Sequence, residues 1–282
     1  MNEKTGFYPG CSLTGSSREY GESTLALAGA LGLPLTEIDD WNCCGASSAH
    51  AVSRDLSIAL PGRILALAAR QGLEEIVVPC AACYNRLSLS AHELSRDPSL
   101  RQRVEQTLEL PLERPVRILN VLQWLGKYAP ERIAEKRVGA FEKKVACYYG
   151  CLLVRPSSVL GFDRTEDPQT MDDLLRGVGA TPIDWAFKTE CCGGGMTIPD
   201  TGAVAALSGQ VLQDAVARGA QAVVVACPMC HANLDMRRGA INRRLEKPVD
   251  IPVLYITQAL GLALGIPAER LGLERHFVPV NL

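Results

Sequence analysis

Residues 75–83 read Glu-Ile-Val-Val-Pro-Cys-Ala-Ala-Cys, and residues 222–230 read Ala-Val-Val-Val-Ala-Cys-Pro-Met-Cys. Each stretch opens on a short, β-branched, continuously apolar run. Such a run suits a strand buried on both faces, as strands of parallel sheets are. Upstream of each lies a segment with helical spacing, residues 61–71 and 204–218, and residues 25–33 and 171–178 read the same way. Pro61 suits a first helical position, and Gly72 and Gly219 stand where a C-terminal capping glycine is expected. Each half therefore reads helix, strand, Cys-x-x-Cys, helix. That alternation predicts an α/β fold with small parallel sheets flanked by helices. It also sets the cysteines at the carboxyl edge of the sheet, where such folds usually carry their chemistry.

The two stretches belong to a longer repeat. In the first half 31 residues separate Cys11 from Cys43, 35 separate Cys44 from Cys80, and two separate Cys80 from Cys83. In the second half 39 separate Cys151 from Cys191, 34 separate Cys192 from Cys227, and two separate Cys227 from Cys230. The flanks agree as well. Tyr8-Pro-Gly-Cys11 answers Tyr148-Tyr-Gly-Cys151, and Asn42-Cys-Cys-Gly45 answers Glu190-Cys-Cys-Gly193. Val121-Leu-Gln-Trp-Leu-Gly126 answers Ile256-Thr-Gln-Ala-Leu-Gly261. This is a duplication, predicting one unit with its linker over 1–140 and a second over 141–282. The link, residues 88–137, is charged and carries Pro98, Pro111, Pro115 and Pro130. Helices are expected there, then a strand at 116–119 and a helix through Trp124.

The chain has 282 residues, 47% hydrophobic and 21% charged, with a formal net charge of −2. The length suits two domains of ordinary size. No clustered basic surface points to nucleic acid, and the densest basic group, Arg237-Arg238 with Arg243-Arg244, reads as a solvated helix face. Apolar stretches are too short to span a bilayer, and no apolar signal region follows the N-terminus. A cytoplasmic location, with membrane contact at most indirect, is the expectation.

Eleven cysteines in such a chain point to metal or redox work more than to structural disulfides. Soft thiolates match the iron of an iron–sulfur cluster. A Cys-x-x-Cys at a strand-to-helix turn aims both sulfurs at one centre, where helix-start amides favour negative charge. Adjacent side chains diverge, so a vicinal Cys-Cys pair suits a centre of several metal atoms better than one small ion. Gly45 and Gly193, directly after the pairs, let the backbone come close. Zinc is the first competing reading, but it takes four ligands and each half offers five. Thioredoxin-like disulfide chemistry would use the Cys-x-x-Cys pairs and leave the vicinal and lead cysteines idle. Structural thiols without ligands explain none of the spacing. Cys147 lies outside the repeat, on an expected strand, and reads as a buried free thiol. His231 directly follows Cys230, with a packing or capping role favoured over proton delivery. Trp41 and Trp185 read as core residues that also suit shielding of a cluster.

On these motifs the chain resembles the cysteine-rich CCG domain family, and within it the B subunit of heterodisulfide reductase and its bacterial relatives. The carrying segments are Phe7-Tyr-Pro-Gly-Cys-Ser-Leu13, Trp41-Asn-Cys-Cys-Gly-Ala46, Pro79-Cys-Ala-Ala-Cys-Tyr-Asn-Arg86, Tyr149-Gly-Cys151 with Arg155-Pro156, Cys191-Cys-Gly-Gly-Gly195, Cys227-Pro-Met-Cys-His-Ala-Asn-Leu-Asp235 and Leu254-Tyr-Ile-Thr-Gln-Ala-Leu-Gly261. The resemblance covers essentially the whole chain. It implies two noncubane 4Fe-4S clusters, one on Cys11, Cys43, Cys44, Cys80 and Cys83, the other on Cys151, Cys191, Cys192, Cys227 and Cys230. It implies an oxidoreductase that cleaves or forms a disulfide, with a disulfide or thiol substrate. The implied partners are a ferredoxin-like subunit with cubane 4Fe-4S clusters, of the C type, and a flavin-containing subunit, of the A type. No ferredoxin-type Cys-x-x-Cys-x-x-Cys run occurs in this sequence, so the electron-delivering clusters are expected on another chain. The same module also serves as a relay between succinate dehydrogenase-like flavoproteins and a quinone pool, which is the alternative expectation.

Overall fold

The computed structural model describes residues 4–46 and 48–281. Among the described residues two four-stranded sheets, parallel in every pairing, carry the fold. The first holds β1 (Thr5–Phe7), β2 (Thr36–Glu37), β3 (Glu75–Val78) and β4 (Arg117–Asn120), in the order β2-β1-β3-β4. The second holds β5 (Lys144–Tyr148), β6 (Thr181–Pro182), β7 (Ala222–Val225) and β8 (Val253–Tyr255), in the order β6-β5-β7-β8. Both orders reverse direction between their two central strands, which opens a crevice at the carboxyl ends. Ile76, Val77, Val78 and Val223, Val224, Val225 are fully buried, so their unbroken apolar runs have helices on both faces. One continuous apolar core runs through both halves, with a small satellite around Ile58, Leu94 and Leu100.

Helix boundaries follow the sequence signals where those are local. Arg18–Leu31 stops at Gly32, whose φ of 67° is left-handed; the apolar pattern extends two residues past that stop. Thr170–Arg176 and Thr201–Ala217 lie close to their expected places. Gly72 and Gly219 take left-handed φ just beyond their helices.

Pro61 is a correction. It is not a first helical residue but sits inside Arg54–Arg70, which starts instead at Ser53, whose hydroxyl accepts from Leu56 N. The polar first turn, Arg54, Asp55 and Ser57, hides that start from an apolar-period reading. The basic group is a second correction. Arg238 is buried, and its guanidinium donates to the carbonyls of Leu234, Val249 and Ile251. It ties the helix Arg238–Asn242 to the chain leading into β8, so only part of the group is a solvated face.

Candidate metal centre

Each sheet delivers its five cysteines from three loops. Cys11 and Cys151 follow the first strand of their sheet, the vicinal pairs follow the second, and the Cys-x-x-Cys pairs follow the third. Cys80 is the N-cap of the helix Ala81–Arg96, and Cys227 is the N-cap of the short helix Pro228–His231. In the first half Cys44 Sγ lies 3.1 Å from Cys83 Sγ; in the second Cys192 Sγ lies 3.6 Å from Cys230 Sγ. A disulfide would need about 2.05 Å, and all eleven cysteines are free.

The same small devices recur in both halves. Gly45 N donates to Cys43 Sγ at 3.4 Å, and Gly193 N to Cys191 Sγ at 3.3 Å. Tyr8 Oη donates to the carbonyl of Asn42, and Tyr148 Oη to that of Glu190, each the residue before the vicinal pair. A Cβ on Gly10 would lie 3.3 Å from Cys83 Sγ, and one on Gly150 would lie 3.0 Å from Cys230 Sγ, at φ of 63° and 68°. Only glycine meets both the backbone and the space requirement there. The vicinal side chains diverge as expected, with Cys43 exposed and Cys44 buried, and Cys191 exposed and Cys192 buried.

Electrostatics follows the same grouping. Burial raises Tyr8 well above its ordinary value, and Cys83, Cys44, Cys43 and Cys11 add to the shift. Burial does the same to Tyr148, reinforced by Cys230, Cys192, Cys151 and Cys191. Hydrogen bonds from Cys43 and Cys83 hold the Cys44 thiol down to about 3, and the bond to Cys44 pushes Cys43 up. In the second half hydrogen bonds from Cys230 and Cys80 hold Cys227 well below the usual thiol range, while burial pushes Cys151 up to about 11. Each half thus favours thiolate character at a buried sulfur among its set. In each half a close pair of buried thiols, a backbone amide on the exposed vicinal thiol and a glycine that clears a sulfur form a donor set suited to iron–sulfur ligation.

The two sets are not separate. Cys80 and Cys227 perturb one another across the halves, the neighbour raising the Cys80 thiol and lowering the Cys227 thiol. The junction is asymmetric. On one side Asn85 donates to the carbonyls of Leu152 and Arg155, pinning the loop after Cys151. On the other side the loop after Cys11 faces His231, with a cavity of about 130 Å³ between them.

Cys147 lies on β5, fully buried, where burial and the nearby Asp172 raise its thiol. Its counterpart by register with the repeat is Phe7. The Lys188 ammonium is buried beside it, paired with Asp172 at 3.0 Å and Asp167 at 2.9 Å. Tyr149 Oη donates to Asp172, while the Lys188 carbonyl accepts from Tyr149 N and Gly150 N. This network holds the strand end that leads into Cys151. Trp185 donates to the Cys147 carbonyl, and Trp41 packs edge-on against Tyr8 at 5.6 Å. Trp185 is buried against Tyr148, whereas Trp41 is only half-buried beside Tyr8 and so is not a core residue.

His231 has the packing role. Its Nε2 bonds the Val253 carbonyl at 3.1 Å, and the ring stacks on Tyr255 at 4.3 Å. His231, Asp235 and His276 converge closely enough to suggest a metal, but their bonds are already used. Asp235 accepts from Phe277 N and Val278 N, and Gln258 Nε2 faces His276 Nε2. A metal on His276 Nδ1 would need a proton on Nε2, which Gln258, itself donating to Leu271 O, opposes. Residues that motif reading missed are Asn233, whose amide reaches Cys192 Sγ at 3.6 Å from the π turn Ala232–Met236, and the pair Tyr20 and Tyr255, which stack at 4.0 Å.

The family model described as the CCG cysteine-rich domain matches residues 5–88 and again 145–235. The chain is 29% identical to the 8-methylmenaquinol:fumarate reductase membrane anchor subunit of Wolinella succinogenes, over 99% of this chain and 98% of that one. It is 28% identical to the B subunit of the ferredoxin/F(420)H(2)-dependent CoB-CoM heterodisulfide reductase of Methanosarcina acetivorans, over 98% of this chain and 94% of that one. By its name each relative is one subunit of a reductase. A hypothetical protein from Helicobacter pylori has a similar fold, with a TM-score of 0.80 at 12% identity. It covers all of this chain, which spans about half (53%) of that one.

Proposed function

The chain belongs to the cysteine-rich CCG domain family, and from that premise we propose that it is the iron–sulfur subunit of a heterodisulfide reductase-like complex. The observation that carries the proposal is the close sulfur pair in each half of the duplicated fold, Cys44 with Cys83 and Cys192 with Cys230. In this reading Cys11, Cys43, Cys44, Cys80 and Cys83 hold one noncubane 4Fe-4S cluster, and Cys151, Cys191, Cys192, Cys227 and Cys230 hold the other, in units spanning 1–140 and 141–282. When bound, the clusters supply the electrons that split a sulfur–sulfur bond. The chain's own residues fix the geometry. Tyr8 and Tyr148 anchor the vicinal loops, Gly10 and Gly150 clear the sulfurs, and buried Tyr20, Tyr84 and Tyr255 keep water from the junction. Reducing equivalents come from a separate ferredoxin-like protein fed by a flavoprotein.

A second reading, relay between a flavoprotein and a quinone, has its own support. The Wolinella succinogenes relative is a membrane anchor subunit. Val52 and Ile198, 75% and 90% exposed, follow the two vicinal pairs in sequence and offer exposed apolar contact. Among the described residues no helix is long and apolar enough to cross a membrane, so in this reading contact is peripheral.

The test supplies the anaerobic, iron-loaded chain with reduced viologen and either an organic disulfide or a soluble menaquinone analogue. The main reading expects two thiols released per two electrons consumed. Quinone turnover with the disulfide left intact would replace it with the second reading.

A further inference from the structure

The cavity at the open side of the junction has a buried acid in its wall. Its lining includes Arg18, Glu19, His231, Met236, Arg275 and Phe277, contributed by both halves and the C-terminal segment. Glu19 is only 6% exposed. Among the described residues its carboxylate has no ion pair: Arg275 is engaged with Glu22 at 2.7 Å, and Arg18 Nε donates to the Thr14 carbonyl. The Glu19 partner is the Tyr255 hydroxyl, 3.4 Å from Oε1. A buried carboxylate without a direct ion pair is costly to keep charged.

Behind Glu19 runs a column of rings. Tyr255 lies between His231 and Tyr20, stacked on both. Tyr20 is fully buried, donates to the carbonyl of Pro79 next to Cys80, and feels Cys227, Cys80 and Cys230. The column therefore joins the cavity to the place where the two cysteine sets meet. A cavity of about 130 Å³ has room for several waters and supplies the solvent end.

Cleaving a disulfide R–S–S–R′ breaks the sulfur–sulfur bond, consumes two electrons and two protons, and yields RSH and R′SH. The electrons come from the iron–sulfur donor protein. The protons must enter from water, and the cavity lies on the side of the junction opposite the loop that Asn85 pins. We propose that Glu19 is the proton-uptake group of the junction, taking a proton from cavity water as the junction is reduced and giving it up as the disulfide sulfurs become thiols.

Burial raises the Glu19 carboxyl above the usual carboxylate range. The hydrogen bond from Tyr255 and the charge of Arg275 favour its ionised form, Glu22 opposes it, and Arg18 and His231 share the cavity. Added electrons make the junction more negative, which favours the protonated acid further. Uptake and reduction are thereby coupled.

The step rests on the disulfide reading above, so the test separates the two. Redox titrations of the iron-loaded chain across the neutral range, in wild type and Glu19→Gln, read the pH dependence of the cluster potential without substrate. Stopped-flow with a pH dye, reduced methyl viologen and 2-hydroxyethyl disulfide reads proton uptake during turnover. Wild type should show a potential that falls with pH. Glu19→Gln should be flat, with turnover-linked proton uptake slowed by about tenfold or more, and Glu19→Asp should restore both in part. An unchanged slope in Glu19→Gln with iron content intact overturns the proposal. A Glu19-dependent slope without any cleavage of the disulfide overturns the disulfide reading and leaves the proton-uptake group standing.

Discussion

A Cys44→Ser variant should lose the iron of the first half, about half of the total, while Cys147→Ala keeps all of it. Cys44 is the buried member of its vicinal pair and is held toward the thiolate form, with Cys83 3.1 Å away. Serine keeps the shape and removes the soft donor. Cys147 is equally buried but points into the strand core beside Asp172, with Phe7 at the matching place in the other sheet. Metal analysis of the two variants beside wild type checks this. Equal iron in Cys44→Ser and wild type would remove Cys44 from the ligand set.

Gly150→Ala should empty the second half nearly as completely. Alanine at a φ of 68° costs roughly 1–2 kcal/mol in backbone strain alone, and its Cβ would stand 3.0 Å from Cys230 Sγ. The neighbouring carbonyl of Lys188 already holds Tyr149 N and Gly150 N, so the loop has little room to retreat. Gly10→Ala should do less, because the matching contact is 3.3 Å. Iron content and the loss of visible cluster absorption measure the difference between the two. Full iron in Gly150→Ala would mean that the loop relaxes and the close approach is incidental.

Much of this was legible because its signals are local. A β-branched apolar run followed by Cys-x-x-Cys gives both a strand and the element after it, and the repetition of that unit doubles the inference. The ten repeated cysteines could be grouped by spacing alone, and the fold sets one close sulfur pair in each half, Cys44 with Cys83 and Cys192 with Cys230. Strands β2 and β6 were not legible. They are two residues each, Thr36–Glu37 and Thr181–Pro182, and owe their pairing to the neighbouring strand more than to their own composition. Pro61 misled because proline in a helix interior is the exception that propensity argues against. Arg238 misled because its acceptors, the carbonyls of Leu234, Val249 and Ile251, are backbone groups without a sequence signature. The column from Glu19 to Tyr20, Tyr255 and His231 joins residues more than two hundred positions apart. Only the packing of one half on the other brings them together.

The most direct test of two clusters on a duplicated ligand set is the metal content of the anaerobically purified chain, by elemental analysis with a paramagnetic spectrum taken on oxidation in the presence of thiol. Two 4Fe-4S clusters predict about eight irons per chain, no stoichiometric zinc, and a signal that depends on the thiol. Stoichiometric zinc without iron would contradict it.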